Sequence, residues 1–205
     1  MKTGPSKPGA VKRVGLFGGT FDPVHQGHLI IAEFLREKAS LNRIVFVPSA
    51  HPPHKYSEQM FDAPRRYAML EKAVSGNPCF FVSDIEMKRG GPSYTIDTIR
   101  EMKASLGEET EILFIVGRDN LGEIETWKEP QRIVSECRLL VADRICDSPF
   151  DIPGWLKGQF ELVKSPLIQI SSTDIRRRIL EGRSIRYLVP DAILNMIESS
   201  RASIR

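Results

Sequence analysis

Four short apolar runs set the limits on what this chain can fold into: Val14-Gly15-Leu16-Phe17, Arg43-Ile44-Val45-Phe46-Val47, Phe80-Phe81-Val82 and Ile112-Leu113-Phe114-Ile115-Val116. The second and fourth are continuous and rich in β-branched residues, which is the look of strands covered on both faces. Between the runs lie stretches with helical periodicity. In 29–39, Ile30 with Phe34 and Ile31 with Leu35 form i, i+4 apolar pairs, and Glu33, Arg36 and Glu37 supply a wet side. Asp62-Ala63-Pro64 is a helix start, and the helix it opens runs through Tyr67, Leu70 and Val74 to Gly76. Residues 95–106 place Ile96, Ile99 and Met102 on one side and close at Gly107. Buried strands alternating with amphipathic helices predict βαβ units, a parallel sheet and right-handed crossovers. The expected architecture is a Rossmann-like α/β domain. Sheets of this kind bind ligands beyond the carboxyl ends of their strands, where the strand order reverses.

The second half is less regular. A short helix is expected over 130–135, a fifth strand over 138–142, and a long loop over 143–158 that contains Pro149, Pro153 and Gly154. A weak strand follows at 160–163. Ile170-Ser171-Ser172-Thr173 then caps a helix over 174–181 that Gly182 ends, and a last helix over 190–199 carries Ile193, Met196 and Ile197. Residues 1–12 read as a flexible tail with no apolar core of a signal peptide. Residues 13–205 are expected to form a single domain whose C-terminal helical part begins at about 171.

The net charge of +3, from 29 basic and 26 acidic residues, gives no ground for a nucleic-acid or membrane partner. No stretch approaches the length of a transmembrane helix. Cys79, Cys137 and Cys146 show no metal-ligand spacing, so no metal site is expected from them, and three such thiols suit a reducing cytoplasm.

The chemistry concentrates in the first turn. A strand ends at Gly18-Gly19, a turn passes through Asp22-Pro23, and His25 and His28 open a helix three residues apart on one face. Glycines allow backbone N–H groups to approach a ligand closely, and a helix N-terminus favours anions, so this is a phosphate cradle. Gly18-Gly19-Thr20-Phe21-Asp22-Pro23-Val24-His25-Gln26-Gly27-His28 resembles the HxGH signature of the nucleotidyltransferase superfamily, in the form found in bacterial nicotinate-nucleotide adenylyltransferases. Four further stretches match that family in chain order. They are the basic loop Pro52-Pro53-His54-Lys55, the segment Pro92-Ser93-Tyr94-Thr95, Gly117-Arg118-Asp119 with Trp127, and Ile170-Ser171-Ser172-Thr173-Asp174-Ile175-Arg176.

The resemblance implies a nucleotidyltransferase-type sheet and transfer of AMP from ATP to nicotinate mononucleotide, giving deamido-NAD and pyrophosphate in the cytoplasm. It implies His25, His28, Lys55 and Arg176 as the catalytic set. Gly18, Gly19, Thr20, Phe21, Gly117, Asp119, Ile170, Ser171, Ser172 and Thr173 join the two histidines and Arg176 around ATP. Lys55, Tyr94, Thr95, Asp119 and Trp127 are the implied contacts of nicotinate mononucleotide, and Mg²⁺ is expected to arrive with ATP. A sister enzyme that uses another phosphate acceptor, such as phosphopantetheine, shares the HxGH and ISSTxIR features. A nucleotide-binding regulator without turnover is the reading from another class. Taken alone, Ser171-Ser172-Thr173 is an ordinary helix cap, Arg177 and Arg178 are a solvated face, and Trp127 and Trp155 are packing residues.

Overall fold

Six strands, all paired in parallel, make one sheet: β1 (Lys12–Gly19), β2 (Arg43–Pro48), β3 (Phe80–Val82), β4 (Thr110–Gly117), β5 (Arg138–Arg144) and β6 (Phe160–Ser165). The structure, a computed structural model, describes residues 12–52, 61–144 and 152–201. The strand order is β3-β2-β1-β4-β5-β6, so the chain winds one way from β1 and then the other, and the reversal falls between β1 and β4. Gly18 lies beside Val47, and Phe17 beside Ile115, at the carboxyl edge of the sheet.

Helices cover both faces. On one lie α1 (Gln26–Lys38), α2 (Ala63–Val74), α7 (Ser172–Leu180) and α8 (Asp191–Arg201). Their Leu35, Met69, Leu70, Ile175, Ile179 and Ile193 bury against Ile44, Phe46 and Leu113 of the sheet. The other face takes α3 (Ile85–Arg89), α4 (Thr95–Leu106), α5 (Arg118–Leu121) and α6 (Pro130–Glu136). There Ile96, Ile99, Leu121 and Ile133 pack on Leu16, Val45, Phe114 and Val141. Continuous burial along β2 and β4 explains their unbroken apolar runs.

The expected strands and helices are present, with boundary shifts that have physical causes. The first helix begins at Gln26 rather than residue 29, because His25 takes an extended N-cap conformation (φ −142°, ψ 168°). Asp62 caps α2 by accepting the Arg65 N–H, and Gly107 and Gly182 end their helices at positive φ. The weak strand is the edge strand β6, two residues longer than expected, with Leu162 facing solvent. Four elements lay outside the sequence expectations: α3, α5 and 3-10 turns at Ile124–Thr126 and Gly154–Leu156, the last within the expected long loop. One or two turns hold too few residues to reveal a period. Cys79 and Cys137 are free, and burial pushes the Cys137 thiol up to about 12. No helix among the described residues is long and apolar enough to cross a membrane.

Candidate active site

β1 delivers Gly18 and Gly19 to the reversal point. Phe21 then turns with φ 49°, and its ring comes back over Gly19 and meets the His28 ring edge-on at 5.0 Å. The His25 backbone N–H donates to His28 Nδ1 at 3.2 Å, so His28 supplies the return bond of a helix cap that Glu or Gln ordinarily makes. An Nδ1 that accepts leaves the proton on Nε2, and His28 thereby becomes an Nε2–H donor. The two imidazoles stack with centroids 3.6 Å apart and planes 19° from parallel. Gly27 permits this packing: a Cβ there would stand 3.0 Å from His25 Nδ1 and 3.1 Å from its Cε1.

Across the reversal, β4 ends at Gly117, and Asp119 folds back over it so closely that a Cβ at 117 would lie 2.5 Å from Asp119 Oδ1. The third wall is the start of α7. Ser171 caps the helix by accepting the Asp174 N–H at 3.1 Å. Ser172 Oγ donates to Pro23 O at 2.9 Å, and Arg176 Nη1 donates to Asp22 O at 2.7 Å. The N-terminus of α7 is thus bolted across to the β1–α1 turn, with its free N–H groups and the Arg176 guanidinium on one side of the gap. Arg177 and Arg178 bond Asp174 and hold its carboxyl below the ordinary range, so they serve the helix and Arg176 serves the gap.

These walls enclose about 740 Å³, ample for a nucleotide. Every residue expected around ATP lines this cavity. Of the expected mononucleotide contacts, Asp119 lines it as well, whereas Tyr94, Thr95 and Trp127 do not. Tyr94 is the N-cap of α4, and Lys128 Nζ sits 4.7 Å from its ring centre while bonding Asp97 at 2.9 Å. Trp127 packs edge-on against Phe114 at 6.1 Å, and Phe114 in turn borders Gly18. This group therefore stands on the other face of the sheet, one ring away from the cavity wall. Trp155 packs against the same core. His54, Lys55 and Cys146 lie outside the described residues.

Two buried charged residues, Asp22 on the cavity wall and Arg66 behind it, were not among the candidate site residues. Asp22 is 2% exposed and accepts the Phe61 N–H at 2.8 Å, with Arg176 Nη1 3.5 Å from its other oxygen. Burial raises its pKa, opposed by the Phe61 bond and by the charges of Arg176 and Arg66. Arg66 of α2 is 1% exposed, and burial lowers its pKa against the pull of Asp22. Its position was a readable signal, since 66, 69, 70 and 74 form one buried stripe at helical spacing and three of the four are apolar. A charge on a core stripe marks a buried network.

A doubly wound parallel sheet carrying an H-x-G-H turn and a capped, arginine-bearing helix start around one anion-sized gap defines a nucleotidyltransferase. Residues 16–178 match the cytidylyltransferase-like family, and the chain belongs to that family. It is 42% identical over 185 residues to a protein of Thermomicrobium roseum named probable nicotinate-nucleotide adenylyltransferase, covering 88% of this chain and 86% of that one. A protein of the same name from Moorella thermoacetica is 40% identical over 201 residues, covering 95% and 91%. Among solved structures, Plasmodium falciparum nicotinic acid mononucleotide adenylyltransferase complexed with NaAD shares the fold, with a TM-score of 0.75 over 95% of this chain and 98% of that one at 20% identity. The same enzyme complexed with APC gives a TM-score of 0.74, again at 20% identity and over the same shares of both chains.

Proposed function

We propose that this chain transfers AMP from ATP to nicotinate mononucleotide, releasing pyrophosphate and deamido-NAD, in the cytoplasmic synthesis of NAD. The observation that carries the reading is the meeting of the stacked His25–His28 pair, the α7 N-terminus and Arg176 on one cavity at the strand-order reversal. Relatives about 40% identical along nearly the whole chain bear the name of that activity.

The attacking group is the 5′-phosphate of the mononucleotide, already an anion, so the reaction needs no strong general base. It needs two mutually repelling anions held in line and charge stabilised on the α-phosphate and the leaving pyrophosphate. His28 donates its Nε2–H to an α-phosphate oxygen, and His25 backs it by stacking. The α7 N–H groups, Ser172, Thr173 and the forked Arg176 hold the departing phosphates, and Lys55 adds a compact charge. Asp119, an acid among phosphate-binding groups, takes ribose hydroxyls. Mg²⁺ would arrive with ATP, coordinated mostly by phosphates and water. When bound it supplies charge neutralisation on the phosphates.

The pyridine ring is assigned to the Tyr94, Thr95 and Trp127 surface. N–H groups at the start of α4 are donors without an acceptor, so they suit the nicotinate carboxylate and reject the amide. The unit that does this is 13–205, with the part from about 171 closing the cavity. Incubation with ATP, Mg²⁺ and nicotinate mononucleotide is expected to yield deamido-NAD by mass spectrometry, and ATP left intact under those conditions would contradict the reading.

A further inference from the structure

Taking a guanidinium out of water is costly unless its charge is balanced and its donors are used. Arg66 is nonetheless as buried as Met69 and Leu70, its neighbours on the same stripe of α2. Its donors go to three carbonyls on three separate segments. Nη1 reaches Thr20 O at 2.7 Å, in the turn after β1; Nη2 reaches Ala50 O at 3.5 Å, in the loop after β2; Nε reaches Phe61 O at 2.9 Å, where the chain enters α2. Phe61 also donates its N–H to Asp22, and Asp22 offers its carbonyl to Arg176. The line Arg66–Phe61–Asp22–Arg176 therefore runs from the middle of the core to the cavity wall.

We infer that Arg66 is a positioning residue for phosphate binding, a strut that sets where Thr20 and, through Phe61 and Asp22, Arg176 stand in the cavity. Simple packing does not require it, because an apolar side chain would fill the stripe without the burden of a buried charge. Carbonyls that diverge in direction require a fork: lysine brings the same charge from one point and cannot bond all three. The opposite charge of Asp22 lets the guanidinium stay ionised there. Displacing phosphate-binding groups by a fraction of an ångström to an ångström is enough to slow an in-line transfer sharply.

The inference rests on the adenylyl-transfer reading of the cavity, and one set of measurements separates the two. The parent protein, Arg66→Lys and Met69→Ala are assayed for pyrophosphate release well below their melting temperatures, with the folded fraction fixed by circular dichroism. Met69→Ala opens a hole on the same helix without touching the strut, so it reports loss of stability alone. The strut predicts that Arg66→Lys loses about tenfold or more in kcat/KM for ATP while KM for nicotinate mononucleotide stays within about twofold, and that Met69→Ala melts earlier with parental constants per folded molecule. Parental constants in Arg66→Lys would overturn the inference and leave the function standing. An inactive parent protein would overturn the function itself. If Arg66→Lys does not fold, Arg66→Met tests the same strut, since it fills the stripe with an unbranched apolar chain and removes all three bonds. The same loss in kcat/KM for ATP is expected, and normal kinetics would overturn the strut.

Discussion

Gly27 shows how little room the chemistry has. Its missing Cβ is what lets the His25 ring lie flat on His28, with 3.0 Å between that absent atom and His25 Nδ1. Gly27→Ala gains about 1 kcal/mol of helix propensity yet pushes His25 off its partner. We expect an unchanged or higher melting temperature with kcat down by about tenfold, and normal turnover would contradict the stacked pair as a working unit. His28→Ala removes the donor itself, and kcat is expected to fall by about 10²- to 10³-fold, the usual loss for one preorganised donor, with an intact circular dichroism spectrum. Near-normal turnover would take His28 out of the mechanism.

Asp22 makes a separate prediction. Its pKa in the folded protein lies above the ordinary 3.8 because burial disfavours the charge. The folded state therefore binds this proton more readily than the unfolded chain. The stability it contributes is complete below the unfolded value and is lost as pH rises through the folded one. Asn does not titrate, so the melting temperature of Asp22→Asn relative to the parent is expected to shift in favour of Asn as pH rises through that window. A difference that stays flat with pH would contradict the raised pKa.

Among elements, α7 is the one whose start does two jobs. Ser171 caps it, while Ser172 and Arg176 tie it to the β1–α1 turn. Ser171→Ala is expected to cost about 1 kcal/mol of stability and to raise KM for ATP, because a frayed first turn no longer aims its N–H groups. An unchanged KM would mean that the tie to the turn alone holds the wall.

The same scale explains what was legible from the residues. The strands declared themselves through unbroken apolar runs, and the long helices through paired apolar positions such as Ile30 with Phe34. The cavity set was legible because its residues sit in short motifs at strand ends and helix starts. The place of Arg66 on a buried stripe was readable, but its role was not, because that depends on carbonyls supplied by segments 5, 16 and 46 residues away, which no local pattern records. Tyr94 and Trp127 were expected as contacts of the mononucleotide; they lie off the cavity, and the sequence holds no sign that Phe114 stands between Trp127 and Gly18.

For the molecule as a whole, the order β3-β2-β1-β4-β5-β6 decides where function can sit. Only between β1 and β4 do the connections leave in opposite directions and open a gap, and the cavity lies there. The two helical layers then divide the labour. The layer with α1 and α7 is assigned the phosphates, and the layer with α4 and the Trp127 loop is assigned the pyridine ring. That division is what the choice of acceptor tests. Pyrophosphate release from ATP and Mg²⁺ is to be followed with nicotinate mononucleotide, nicotinamide mononucleotide and phosphopantetheine in parallel. Strong release with nicotinate mononucleotide, and little with the other two, is the predicted result. Equal release with the amide would contradict the assignment of the carboxylate to the α4 N-terminus, and release with phosphopantetheine alone would contradict the assigned acceptor.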